Sequence, residues 1–141
     1  MTLIEIMIAA TLMIGAFTGV LLTYIKCAEL NELSKNASLA LTAAKNQIES
    51  AKNTAFNQIF ANFNGISFNP TNLTGKGIGY VDNSNPDLLK VTISVSWRQA
   101  NRRVIGEDKD LDGVLDAGED VNGNGQLDSP VKIVSYIYNA G

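Results

Sequence analysis

Residues 6–25, IMIAATLMIGAFTGVLLTYI, form a run of 20 residues without a charge, bounded by Glu5 and Lys26. As an α-helix such a run is about 30 Å long, the thickness of a bilayer hydrocarbon core. No basic residue precedes it, and it passes directly into a second helical pattern. An anchoring membrane helix is therefore expected in preference to a removable signal peptide.

Glu5 adds a condition. A carboxylate one turn inside an apolar segment is costly in lipid and should be partnered or protonated. It sits near the positive end of its helix dipole, which helps in part. The nearest basic side chain, Lys26, is six turns away. The other positive group in this region is the α-amine of Met1, if Met1 is the mature terminus, and rigid helical geometry makes a neighbouring copy's amine the better partner. That reasoning predicts self-assembly through stacked N-termini.

Beyond Lys26 the helical pattern continues. Leu30, Leu33, Ala37, Ala40, Ala44, Ile48, Ala51, Ala55 and Ile59 recur at spacings of three and four, while Glu29, Glu32, Lys35, Lys45, Glu49 and Lys52 lie off that stripe. No proline occurs before Pro70, so one helix is expected to run to about residue 64, where Asn62, Asn64 and Gly65 stop it. Gly15 and Gly19 are its weak point, each lowering helix propensity by about 1 kcal/mol. A helix of about 60 residues spans about 90 Å, more than a domain drawn from 141 residues can cover.

The segment TLIEIMIAATLMIGAFTGVLLTYIK resembles the mature N-terminus of type IV pilins and of the related pseudopilins of type II secretion. LNELSKNASLALTAAKNQIESAKNTAFNQI is similar to minor-pilin-like sequences. The resemblance is strong over residues 1–62 and weak beyond. It implies cleavage by a prepilin peptidase, N-methylation of Met1, and pairing of Glu5 with the terminal amine of an adjacent subunit. It further implies residence in a bacterial inner membrane, handling by pilus assembly machinery, and final placement in a surface filament of identical subunits. Met1 stands where the family most often has phenylalanine, and Leu22 lies where many members have a proline.

The C-terminal half carries a different signal. Residues 65–87, rich in Asn, Gly, Pro, Ser and Thr, predict a loop with a short edge strand over 77–81. In 88–97 Val91, Ile93, Val95 and Trp97 alternate with Thr92, Ser94 and Ser96, which predicts a half-buried strand. Arg102–Ile105 can pair back on it, and 131–139 alternates again. Three or four antiparallel strands packed on the helix stripe make an α+β domain, the layout the pilin resemblance also implies. Three stretches result: a membrane or filament-core helix over 1–25, its amphipathic continuation over 26–64, and a sheet domain over 65–141.

Between the strands, 106–130 holds eight of the 14 acidic residues beside Lys109 and so carries −7, against +4 for the remainder. Asp108, Asp110, Asp112, Gly113, Asp116 and Glu119 fill positions 1, 3, 5, 6, 9 and 12 of an EF-hand loop, with the Val114 carbonyl at position 7. Ca²⁺ takes six to eight oxygens, so short carboxylates must converge around a sharp glycine turn. Twelve residues on, Asp120, Asn122, Asn124, Gly125, Gln126 (carbonyl) and Asp128 repeat the register, with Val131 where the closing glutamate belongs. The flanking sequence is strand-like, so free-standing loops for one or two Ca²⁺ are expected, with affinity near ~10⁻⁴–10⁻³ M as in extracellular modules. The alternative is an acidic solvated loop that binds nothing.

Other classes are disfavoured. The chain has no histidine and one cysteine, Cys27. Serine and cysteine triads, zinc-hydrolase sites, CxxC pairs and an intrachain disulfide are therefore ruled out. No catalytic set and no organic cofactor motif is present, and the scattered basic residues predict no nucleic-acid contact. Cys27 reads as a packed helix residue, and Asn36-Ala37-Ser38 and Asn72-Leu73-Thr74 fit a glycosylation pattern that is common by chance. The expected function is a structural filament subunit, with a type II secretion pseudopilin or a membrane-anchored calcium-binding interaction module as alternatives.

Overall fold

A computed structural model describes residues 2–139. It divides into two units, with the boundary between Ser34 and Lys35. Met1, the expected amine donor, lies outside the described residues.

In the first unit the backbone is helical from Leu3 onward, as the opening of α1 (Leu3–Lys52). Every described residue from Thr2 to Asn31 is exposed, including Leu12, Phe17 and Val20. The helix runs unbroken through Gly15 and Gly19, where an added Cβ would meet nothing within 4 Å. Thr11, Thr18 and Thr23 donate their hydroxyls to the carbonyls of Met7, Ile14 and Gly19 at 2.8–2.9 Å. These four-residue back-bonds satisfy the hydroxyls without water. The segment is long and apolar enough for a membrane anchor or a signal sequence.

The start of α1 answers part of the Glu5 problem locally. The amides of Glu5 and Ile6 donate to the Thr2 carbonyl, and the Thr2 amide donates to Glu5 Oε2 at 2.7 Å. Thr2 and Glu5 thus stand as N-cap and N3, and the acid reaches back to the N-cap amide as in a capping box. The Thr-x-x-Glu spacing was legible in the sequence. It gives one carboxylate oxygen a partner that needs no second copy.

In the second unit the stripe buries as expected at Ala40, Ala44, Ile48 and Ala51, whereas Ala55 is exposed, as is Leu30 of the same stripe in the first unit. The helix does not continue to residue 64. It ends at Lys52, and a separate helix α2 spans Phe56–Phe63. At the break the Thr54 amide closes onto the Ala51 carbonyl three residues back, and the Thr54 hydroxyl takes the Ser50 carbonyl at 2.8 Å. Ala55 is extended (φ −57°, ψ 134°) and its carbonyl accepts the Gln58 amide, which restarts the helix. Asn53 and Thr54 are weak helix formers with side chains that compete for backbone partners. The restart turns Ile59 and Phe63 inward.

Five antiparallel strands follow: β1 (Ser67–Phe68), β2 (Gly75–Asn85), β3 (Leu88–Arg98), β4 (Val104–Ile105) and β5 (Lys132–Tyr138). β3 is central, with β2 on one side and both β5 and β4 on the other. The stretch expected to be mostly loop is an 11-residue inner strand, flanked by β1 as well as β3. The misleading signal was glycine. Gly75, Gly77 and Gly79 alternate along β2 and register with Trp97, Val95 and Ile93, so all three lie on one face.

On that face Phe68 lies over Gly77, where a Cβ would overlap its ring, and the Phe63 carbonyl stands 2.5 Å from the Cβ that Gly79 lacks. The glycines admit α2 and an aromatic ring close to the sheet. Leu89, Val91, Ile93, Val95 and Trp97 fill the same face and are buried. The opposite face carries Ile78, Tyr80, Thr92, Ser94 and Ser96, and it too is covered. Its cover is the acidic loop: Leu127 is 1% exposed, its amide donates to the Tyr80 hydroxyl at 2.8 Å, and Gly106 and Gly113 press on Ser96 and Ser67.

Gly79→Ala should lower the melting temperature of the detergent-solubilised chain by an amount equivalent to about 1–3 kcal/mol, because its methyl meets backbone rather than a flexible side chain. Gly15→Ala, with open space around it, should leave the melting temperature almost unmoved in the same calorimetric scan.

Candidate metal centre

The acidic insertion leaves β4 at Ile105 and returns to β5 at Lys132. Its base is closed by the chain itself: the Glu107 amide donates to the Asp128 carbonyl at 2.8 Å, and the Asp128 amide donates to Glu107 Oε2 at 2.9 Å. The Ser129 hydroxyl donates to the Val95 carbonyl at 2.5 Å, tying the return limb to the central strand.

Within the insertion, two successive turns share one hydrogen-bond pattern. In the first, Asp108 Oδ1 accepts the Asp112 amide at 3.2 Å and Oδ2 accepts the Gly113 amide at 3.0 Å. Asp110 Oδ1 also accepts the Asp112 amide at 3.2 Å, and Asp112 Oδ1 accepts the Val114 amide at 2.7 Å. In the second, Asp120 Oδ1 accepts the Asn124 amide at 3.0 Å and Oδ2 accepts the Gly125 amide at 2.8 Å. Asn122 Oδ1 accepts the Asn124 amide at 3.0 Å, and Asn124 Oδ1 accepts the Gln126 amide at 2.8 Å. The four bonds superpose with a shift of twelve residues, the period read from the sequence. Gly113 (φ +81°) and Gly125 (φ +73°) occupy the left-handed turn at the sixth position, open to glycine without strain.

The first turn brings ligand atoms of Asp108, Asp110 and Asp112 within 4.8 Å of one another. Oxygens bound at 2.3–2.6 Å to one Ca²⁺ lie no more than about 5 Å apart, so the spacing fits a shared ion of that size. These three residues can hold a metal. Asp108 is 2% exposed and Glu119 5% exposed. Glu119 Oε1 accepts the Lys109 amide at 2.7 Å and Oε2 accepts the Asp116 amide at 3.2 Å, so it spans the two ends of the turn. Lys109 Nζ bonds the Gly118 carbonyl rather than a carboxylate. Val114 and Asp116 are exposed.

The two turns differ in the direction in which a key carboxyl is shifted. Burial pushes the Asp108 carboxyl above the ordinary aspartate range; amide bonds from Leu111 and Gly113 oppose that, and the charges of Glu119 and Asp110 add to it. Burial acts in the same direction on Asp128, but bonds from Lys132, Asn122 and Asn124 outweigh it and hold that carboxyl low. The first turn thus concentrates uncompensated negative charge, and the second does not. Lys132, which supplies this compensation, begins the next strand and was not singled out in the sequence. Its position immediately after the twelve-residue repeat was the available signal. Gln126 is half-buried, and its amide takes the Asn124 side chain.

No protein-family model, curated protein or solved structure matches this chain.

A carboxyl whose folded pKa exceeds its unfolded one contributes stability that is full below the unfolded value and is lost as pH rises through the folded value. In EDTA the first turn should therefore be looser at neutral pH than in mild acid. Hydrogen exchange of the 109–119 amides, corrected for intrinsic rates, checks this: protection should fall between pH 4 and pH 7 without metal, and metal should restore it at pH 7.

Proposed function

We propose that this chain is a structural subunit of a type IV pilus-like filament, held by its N-terminal helix in a central bundle, with calcium ordering the acidic loop of its sheet domain. The observation that carries the reading is the exposure of every described residue from Thr2 to Asn31, a run that includes the whole uncharged segment. Such a surface needs lipid or other copies around it. Bilayer residence before assembly and helix packing afterwards satisfy the same side chains in turn. Identical subunits joined head to tail in a contact that does not close generate a helical polymer.

Glu5 sets the register in this reading. Its Oε2 is engaged by the Thr2 amide, and in this reading its second oxygen takes the incoming amine. Calcium is the ion that best suits the first turn, because the ligands are all oxygen, the carboxylates are short, and glycine occupies the turn position. Asp108, Asp110, Asp112, the Val114 carbonyl, Asp116 and Glu119 would hold it. The ion would offset part of the −7 carried by 106–130 and fix the loop that covers one face of the sheet.

The Thr2–Glu5 capping interaction favours a second reading, a membrane-anchored calcium-binding module that recruits an extracellular partner. In that case Glu5 serves only to start the helix. A type II secretion pseudopilin shares the architecture of the first reading and differs in filament length.

Glu5→Ala separates these. In the filament reading the variant enters the membrane normally, by fractionation, while electron microscopy of the cell surface shows few or no filaments. Wild-type filament yields from Glu5→Ala would overturn the register role, and absence of any polymer from the unaltered chain would overturn the filament reading. Calorimetry should show heat on adding Ca²⁺ to the metal-free chain, and Asp108→Asn should abolish it.

A further inference from the structure

The second turn already holds a cation. Lys132 Nζ lies 2.7 Å from Asp128 Oδ1, and Asp128 is the ninth-position ligand that a divalent ion would need there. The other oxygen of that carboxylate accepts the Asn122 and Asn124 side-chain amides, each at 2.8 Å. Those two residues therefore turn N–H groups, not oxygens, toward the shared carboxylate. A metal entering this turn would have to displace an ammonium and break both amide bonds. It would also find Val131 where the first turn has Glu119.

We propose that the Lys132 ammonium is the resident cation of the second turn, so that the chain binds one divalent ion, in the first turn, and holds the second closed without metal. This rests on the calcium reading above and sharpens the expectation of one or two ions to one. The placement gives the arrangement a purpose. Lys132 opens β5 and registers with Ser94 of the central strand. A carboxylate–ammonium pair at that point braces Asp128 against the first residue of β5 whether or not metal is present, beside the Leu127 and Ser129 bonds that reach the sheet. Among the described residues the first turn has no such pair, because Lys109 is spent on the Gly118 carbonyl. Loss of metal should then loosen 108–119 and leave the return limb in place.

Equilibrium dialysis of the full chain in detergent micelles against Ca²⁺ tests this. The unaltered chain should bind one ion and Lys132→Met should bind two, the second more weakly. Two ions on the unaltered chain, or one on Lys132→Met, would overturn the role given to the lysine. Zero ions on the unaltered chain would overturn the calcium reading itself, a separate failure. Should Lys132→Met not fold, hydrogen exchange on the unaltered chain decides the matter. With calcium at about ten times its Kd, EDTA should speed exchange of the 109–119 amides roughly tenfold and leave 122–131 nearly unchanged. Equal acceleration of both segments would overturn the proposal.

Discussion

The central strand β3 is buried on both faces from Val91 to Trp97, and the domain is arranged to meet that demand. An antiparallel strand in a small sheet commonly has one wet face. Here the apolar face takes α2 and Phe68, let in by the glycines of β2. The face bearing Thr92, Ser94 and Ser96 takes the acidic insertion, pinned by Leu127 and by the Tyr80 hydroxyl. The insertion is therefore part of the core's enclosure, not an appendage. Whatever orders it also seals the sheet.

That coupling gives the charge distribution its meaning. Eight acidic side chains in one short insertion repel each other, and two of them, Asp108 and Glu119, are buried. Backbone amides satisfy their oxygens but do not neutralise them, and an uncompensated buried charge is costly. The second turn meets the same problem with fewer acids, two asparagines and a lysine. The twelve-residue repeat thus yields two turns of one shape and unlike charge. On the proposed reading the first waits for calcium and the second does not.

Much of this was legible in the residues. The uncharged run, the alternation of β3 and β5, and the register of both acidic turns follow from period and spacing, which local geometry obeys directly. The break at 53–55 was not, because the apolar stripe continues across it to Ile59. The strand over 75–85 was hidden because glycine signals turns, and the close approach of Phe63 and Phe68 that requires glycine there is a long-range fact. The capping role of Glu5 is written in the Thr-x-x-Glu spacing, which places its carboxylate within reach of the Thr2 amide.

By itself, the sequence determined the elements whose cause is local: an apolar helix, an alternating central strand, and two loops with oxygen donors at every second residue. The tertiary structure alone decided which surfaces those elements cover. Leu127 meets the Tyr80 hydroxyl, 47 positions away in sequence, and Ser129 meets the Val95 carbonyl, 34 positions away, only in the folded sheet. Hydrophobic burial and hydrogen bonding depend on distance in space, and a one-dimensional pattern does not carry that distance.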